Sequence, residues 1–288
     1  MRDESGFDPI AFKEMTRQQW QEAAVAWHRW EPTLRAWLEP VTTLMLDLAC
    51  IGPGARVLDV AAGAGEPALS AARRVGPTGC VLATDIAANM LAFAAQEAPA
   101  RGVSAAAFQA RVMDGENLEL ADASFDAALS RLGLIYFPDR VRGLAEMGRV
   151  LRPGGRAVIA GFTTPAHNRF FSIPLGIIRR RAHLPPPAPD QPGPFSLGDP
   201  AVMVDTYHKA GFRAVETRVI GTPLRLPSAT VCTQLERESF GALHQLMKGL
   251  PAENQAVAWE EIAQELRMFE GEGGFEAPTE LCVGVGIR

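Results

Sequence analysis

Two glycines and two carboxylates carry the most chemistry in this chain. Residues 57–67 read VLDVAAGAGEP, an apolar run that passes through Asp59 into a glycine-bearing turn, and a second apolar run from Cys80 to Thr84 ends in Asp85. Gly63 and Gly65 lack side chains, so the backbone there can turn tightly and approach a ligand. A helix opening with Glu66 and Pro67 would aim its free amides at that ligand. A carboxylate closing the next strand, about 20 residues on, suits the hydroxyls of a ribose. These residues describe a nucleotide-type ligand held where a strand turns into a helix. Gly63-x-Gly65-x-x-Ala68 also satisfies a loose nicotinamide-dinucleotide pattern with Asp85 as the ribose acid, which leaves a nicotinamide-dependent oxidoreductase as one reading of these positions.

Two histidines are placed for proton transfer, because an imidazole titrates near neutral pH and could take a proton from a phenol. His167 lies in Thr163-Thr164-Pro165-Ala166-His167-Asn168, just after an expected strand, and loops at the carboxyl ends of strands border the ligand crevice of open α/β sheets. His28 lies in Trp27-His28-Arg29-Trp30, on a helix expected to cover the pocket. Each is equally compatible with a surface or hydrogen-bonded structural histidine. His183 falls in a proline-rich loop, and His208 and His244 fall in helices. Cys50, Cys80, Cys232 and Cys282 are dispersed, with no Cys/His spacing that suits a metal, so no metal is expected.

These residues need a scaffold, and the pattern around them supplies one. Strand-like runs at about Arg56–Ala61, Cys80–Asp85, Ala106–Val112, Phe125–Ser130 and Arg156–Phe162 alternate with helical stretches at about Glu66–Val75, Ala87–Ala98 and Asp139–Leu151. That βαβα order predicts an α/β fold with a parallel sheet covered by helices on both faces. A helix near Pro200–Ala210, a strand near Phe212–Ile220, helices at about Ala229–Leu250 and Glu253–Phe269, and a last strand, Leu281–Ile287, complete the chain. Ahead of the sheet, Trp20, Trp27, Trp30 and Trp37 recur at steps of 7, 3 and 7, a spacing that shares one helical face. Pro32 breaks that helix, a second begins near Thr33, and a third spans roughly Val41–Cys50. The stripe could stack on an aromatic substrate or staple the N-terminal helices to the domain, and packing is the favoured reading. From Thr163 to Pro200 the chain is proline-rich, through Leu184-Pro185-Pro186-Pro187-Ala188-Pro189, and reads as a long loop with a short helix at Phe171–Arg180.

Composition narrows the classes. With 288 residues and 47% hydrophobic content the chain can bury a full core. A net charge of −5 argues against nucleic acid as a partner. No apolar run approaches the ~18 residues of a membrane span. The acidic start, MRDESGFDPI, is unlike a signal peptide, so the cytoplasm is the expected compartment.

Five motifs in order carry a resemblance: Asp59 before Gly63, Asp85 at the end of strand two, Met113-Asp114-Gly115-Glu116-Asn117-Leu118 after strand three, Ser124-Phe125-Asp126 opening strand four, and Leu151-Arg152-Pro153-Gly154-Gly155 entering strand five. The series resembles the class I S-adenosylmethionine-dependent methyltransferases, and most of all their ubiquinone/menaquinone-biosynthesis-type small-molecule group, over about Ile51–Ile220. The resemblance implies a Rossmann-like seven-stranded sheet whose last strand is reversed and inserted beside strand six. It implies S-adenosyl-L-methionine as cofactor and S-adenosyl-L-homocysteine as product. Carried over, Ala61, Gly63 and Gly65 would line the methionine part, Asp85 would hold the ribose, and Ile86 and Met90 would pack on the adenine. Asp114 would take the adenine amino group with Gly115 nearby, and the backbone at Ser130 and Arg131 would face the methionine amine. Ala61 departs from the glycine that is commonest there. Arg131–Asp139 departs from the asparagine-containing segment of the quinone-pathway enzymes, which argues against a respiratory quinone precursor as substrate.

The expectation is an S-adenosylmethionine-dependent methyltransferase acting on a hydroxyl or carbon of a small, aromatic or polyketide-like molecule, in keeping with secondary metabolism. Residues 1–50 would form a helical lid on a cofactor-binding domain of residues 51–288, with further lid inserts at about 163–200 and 228–271. A homodimer is compatible with the sequence. The alternatives are the oxidoreductase above and a non-catalytic module that binds the same cofactor.

Overall fold

The computed structural model describes residues 7–186 and 191–288; the first residues of the acidic start and the end of the proline-rich run, 187–190, lie outside the described residues. The strands, in chain order, are β1 (Arg56–Val60), β2 (Cys80–Asp85), β3 (Phe108–Val112), β4 (Phe125–Arg131), β5 (Leu151–Phe162), β6 (Arg213–Gly221), β7 (Leu224–Leu226), β8 (Glu270–Gly271), β9 (Gly274–Ala277) and β10 (Glu280–Ile287). Seven of them form one sheet in the order β3-β2-β1-β4-β5-β10-β6. β1 pairs in parallel with β2 and β4, β2 with β3, and β4 with β5, while β10 runs antiparallel between β5 and β6. This is the reversed, inserted strand that the resemblance implies.

Residue type explains the order of burial. Val57, Leu58 and Val60 of β1 are buried, as a central parallel strand covered on both faces requires. β3, at the sheet edge, buries only Phe108. β10 carries Gly284 and Gly286 where Tyr207 lies on the sheet, and a Cβ at Gly284 would stand 2.8 Å from the Tyr207 ring and 2.6 Å from Met203 Sδ. Tyr207 Oη donates to the Gly284 carbonyl at 2.7 Å, which fastens its helix to the reversed strand.

The helices are α1 (Pro9–Arg29), α2 (Glu31–Leu48), α3 (Ala68–Val75), α4 (Ala88–Ala100), α5 (Arg140–Val150), α6 (Arg169–Arg181), α7 (Pro200–Lys209), α8 (Ala229–Ser239), α9 (Gly241–Met247) and α10 (Ala252–Leu266). α2, α3 and α4 pack on one face of the sheet; α5 and α7 share the core on the other. α1, α6, α8, α9 and α10 pack on one another as a helical cap, and α1 also lies along α4. No helix among the described residues is long and apolar enough to cross a membrane.

Four local expectations change. The second and third N-terminal helices are one, because α2 runs on through Pro40; that residue is exposed, so the amide it lacks falls on the solvent side. The tryptophans therefore sit on two helices, split at Trp30, rather than on one face. The expected helix Ala229–Leu250 breaks at Phe240, where the backbone leaves helical geometry and α9 begins at Gly241. A Cβ on Gly241 would stand 2.4 Å from the Gln19 side chain, so the glycine lets α9 approach α1 closely. Finally, β7, β9 and β8 form a small antiparallel sheet, built of strands too short to show a period.

Candidate active site

A cleft of ≈ 1340 Å³, mouth included, opens where the carboxyl ends of the parallel strands meet the cap. It sits at the β1/β4 junction, the point where strand order reverses and open α/β sheets leave a crevice. Ala61 to Ala64 follow β1, Asp85 and Ile86 end β2, Met113 to Glu116 follow β3, and Arg131 to Gly133 end β4; all of these wall the cleft.

The turn after β1 is held from β2. Asp85 Oδ2 accepts the Gly63 amide at 2.9 Å and Oδ1 accepts the Ala87 amide at 2.8 Å. Burial pushes the Asp85 carboxyl above its ordinary range, and the amides of Ala87, Gly63 and Ile86 oppose that rise. Gly63 has φ +54, and its missing side chain faces the Trp27 indole, whose Nε1 would lie 4.0 Å from a Cβ. Ala61 sits at φ +57, in the left-handed region that costs an L-residue about 1–2 kcal/mol. Its methyl fits because residue 133 is glycine: a Cβ there would stand 2.4 Å from the Ala61 Cβ.

Of the ten residues expected around a cofactor, the structure brings Ala61, Gly63, Asp85, Ile86, Met90, Asp114, Gly115 and Arg131 to the cleft wall. Gly65 is not on it. Its absent side chain makes room between α3 and α4 instead, where a Cβ would meet Leu69 at 2.8 Å and Ala94 at 3.1 Å. Ser130 is fully buried in β4 and its hydroxyl accepts the Leu134 amide at 3.2 Å, bracing the turn; the expectation concerns its backbone, which this contact leaves open.

Neither candidate base is there. His167 is exposed and its Nδ1 lies 2.7 Å from Glu280 Oε1. The loop bends away because the buried Asn168 ties it to β10, donating to Thr163 Oγ1 and the Thr164 carbonyl and accepting the Glu280 amide. His28 stacks on Phe93, ring centroids 4.3 Å apart. Trp27 faces the cleft, and one residue further along a helix turns the side chain by about 100°, toward α4. Among the described residues no cluster of His, Cys, Asp and Glu could hold a metal ion.

The cap supplies residues that no motif marks. Lys13 from α1 reaches across the cleft to Asp114 Oδ2 and Glu116 Oε2, both at 2.7 Å. Trp20, Trp27, Leu34, Trp37, Leu38 and Phe240 line the cleft together with Ile135, Tyr136 and Phe162, the Trp20 and Tyr136 rings 5.9 Å apart and those of Trp37 and Phe162 6.0 Å apart. Trp37 Nε1 donates to the Thr222 carbonyl and Thr279 Oγ1, so this tryptophan both packs the helix and walls the cleft. Burial pushes the Tyr136 phenol far up, so it stays protonated at neutral pH.

Behind the β1 turn lies a buried group of charges. Arg101 bonds Glu66 and lies 3.4 Å from Glu31, and Arg35 bonds Glu31 at 2.9 Å. Arg131 donates to Thr42 Oγ1 at 2.7 Å; burial lowers its pKa, and Glu66, Asp59 and Glu31 oppose that. Asp59 is wholly buried and neither of its carboxylate oxygens has a hydrogen-bond partner. Burial drives its carboxyl well up; Arg131 and the nearby Ala68 amide, short of good hydrogen-bond geometry, pull the other way.

Known proteins resemble this chain in sequence and fold. Residues 58–159 match the family described as Methyltransferase domain. The chain is 33% identical over 201 residues to Nocamycin O-methyltransferase of Saccharothrix syringae, covering 66% of this chain and 70% of that one. It is 38% identical over 120 residues to the ubiquinone/menaquinone biosynthesis C-methyltransferase UbiE of Geobacter sulfurreducens, spanning 42% of this chain and only 46% of that protein. The YcgJ protein of Bacillus subtilis shares the fold, with a TM-score of 0.57 at 18% identity over 87% of this chain and 98% of that one. The nicotinamide reading of the glycine turn thereby falls: the chain belongs to the class I S-adenosylmethionine-dependent methyltransferases.

Proposed function

We propose that this enzyme methylates a hydroxyl or carbon of a small, apolar molecule of aromatic or polyketide-like character. The observation that carries the reading is the apolar wall of the cleft, which Trp20, Trp27, Leu34, Trp37, Leu38 and Phe240 line together with Ile135, Tyr136 and Phe162. Such a wall binds by apolar burial and ring contact rather than by charge. Nocamycin O-methyltransferase and the quinone-pathway C-methyltransferase, by their names, transfer methyl to oxygen and to carbon, which supports both acceptor types.

The residues of the floor fit the cofactor. The Gly63 turn leaves backbone open to a ligand, and Asp85 stands buried beside it with lone pairs to spare after accepting two amides. In this arrangement Asp85 takes the ribose hydroxyls, Ile86 and Met90 flank the adenine, Asp114 and Gly115 meet its edge, and Ala61, Gly63 and Arg131 border the methionine tail. When bound, S-adenosylmethionine supplies an electrophilic methyl group on a sulfonium. The chain's own residues align an acceptor with that methyl and keep water out. The lid reading is supported for α1, α2 and the segment around Phe240, which contribute the apolar wall, while the segment at 163–200 supplies no residue to it among those described.

Neither histidine reaches the cleft, so alignment and water exclusion carry the transfer in this reading. Transfer of tritiated methyl from S-adenosylmethionine to a panel of phenols, enols and polyketides tests the reading. Incorporation into apolar ring compounds is expected; incorporation only into nucleic acid or protein overturns it.

A further inference from the structure

We propose that Glu66 anchors the α-ammonium of the cofactor's methionine, a role that rests on the cofactor arrangement given above. Glu66 walls the cleft, and its side chain is only 7% exposed. Its Oε1 is occupied, accepting from Arg101 Nη2 and from Ser70 Oγ. Its Oε2 is buried and has no hydrogen-bond partner in the protein. A carboxylate oxygen left in that state costs free energy, and native sites satisfy such groups.

Charge points the same way. Three carboxylates, Asp59, Glu66 and Glu31, gather around two guanidiniums, Arg101 and Arg131. Arg35 also meets Glu31, but from a side chain 44% exposed and therefore screened by solvent. With Asp59 pushed well up by burial, Glu66 and Glu31 are the carboxylates that the two guanidiniums serve, and of these only Glu66 keeps a buried oxygen without a donor. Position selects the ammonium as its partner. Asp85 and Glu66 line the same cleft about the Gly63 turn: Asp85 holds the Gly63 amide, and Glu66 stands three residues on, just ahead of α3. A ligand with its ribose at Asp85 runs its tail across Gly63 toward Glu66 and Arg131.

Two ligands isolate the ammonium. S-adenosylhomocysteine carries it without the sulfonium charge; 5′-methylthioadenosine carries the same nucleoside and sulfur but no amino-acid group. Calorimetric titration of the full chain, of Glu66→Gln and of Glu31→Gln with both ligands reads the role directly. In Glu66→Gln, S-adenosylhomocysteine should bind roughly ten- to a hundredfold more weakly, while 5′-methylthioadenosine keeps its affinity. Glu31→Gln should lose less. Equal loss of both ligands in Glu66→Gln would mean a disturbed fold rather than a lost anchor, and would overturn the proposal. An unchanged affinity for S-adenosylhomocysteine, or a larger selective loss in Glu31→Gln, would overturn it as well.

Discussion

The floor and the roof of the cleft are built on different principles. The floor comes from strand ends, and its key contacts are made by backbone: Asp85 to the Gly63 and Ala87 amides, and Ala61 in a left-handed turn. The roof comes from α1, α2 and the α8–α9 break, and its contacts are side chains: Trp20, Trp27, Leu34, Trp37 and Phe240. A floor that relies on backbone conformation demands particular residues at fixed spacing. A roof that relies on apolar area accepts any large side chains that fill the space. One region can therefore hold the same cofactor across a family while the other changes with the acceptor.

The largest effect should come from removing one helix of the roof, α1, and leaving the floor intact. Deletion through Arg29 takes away α1 and leaves α2, whose Trp37, Leu38 and Val41 belong to the core. Turnover should fall by at least about a hundredfold, the scale expected when alignment and water exclusion are lost. S-adenosylhomocysteine affinity should fall less than turnover, because α1 packs on the floor through Lys13, Ala24 and Trp27 but supplies neither the Asp85 carboxylate nor the amides it holds. Parallel loss of turnover and binding, read by methyl transfer and by calorimetry, would erase the division between the two regions.

The converse change acts on the floor. Asp85→Ala removes the carboxylate proposed to hold the ribose and frees the Gly63 and Ala87 amides. Cofactor affinity should fall by about 1.5–3 kcal/mol, roughly ten- to a hundredfold. Near-equal binding of the variant and the parent in a titration would show that the ribose is held elsewhere.

The same division decided what the sequence disclosed. β2 begins and ends where its apolar run predicts, and β10 is inserted and reversed as the motif series implies. Eight of the ten positions expected around a cofactor reach the cleft, seven of them at or just past strand ends and Met90 on α4. Gly65 kept the spacing yet makes room between α3 and α4, since a motif records where a small residue is needed and not whether a ligand or a neighbour needs it. The roof was illegible for a different reason. Lys13, Glu31 and Phe240 enter the cleft through helix-to-helix packing, and nothing local to them encodes that. His28 and His167 were singled out by chemistry and chain position, but one step of helix rotation and one buried asparagine turned them away.

Within the floor, the pairing of Ala61 with Gly133 is open to a stability test. Gly133→Ala places a Cβ 2.4 Å from that of Ala61 and 2.9 Å from Ser130 Oγ, and should cost about 1–3 kcal/mol as overpacking. Ala61→Gly relieves both the clash and the left-handed alanine, so the double variant should recover part of that loss in denaturant unfolding. Strict additivity of the two changes would mean that the methyl and the glycine do not answer each other.

The smallest effect contrasts buried acids in the two regions. Glu236 of α8 is fully buried, neither oxygen has a partner, and burial drives its carboxyl well above the ordinary 4.5. Asp59 under the floor is equally buried, but Arg131 partly offsets the rise. A carboxyl raised on folding stabilises fully below its unfolded value, and that contribution is lost as pH climbs through the folded value. Glu236→Gln should therefore melt a few degrees higher than the parent at pH 8, about 2–4 °C per kcal/mol for a domain near this size. The gap should close as pH falls toward 4.5. Asp59→Asn should gain less at pH 8, because it also strips Arg131 of a nearby carboxylate. A melting difference for Glu236→Gln that does not change between pH 8 and pH 4.5 would show that packing, and not the buried charge, sets the stability of the roof.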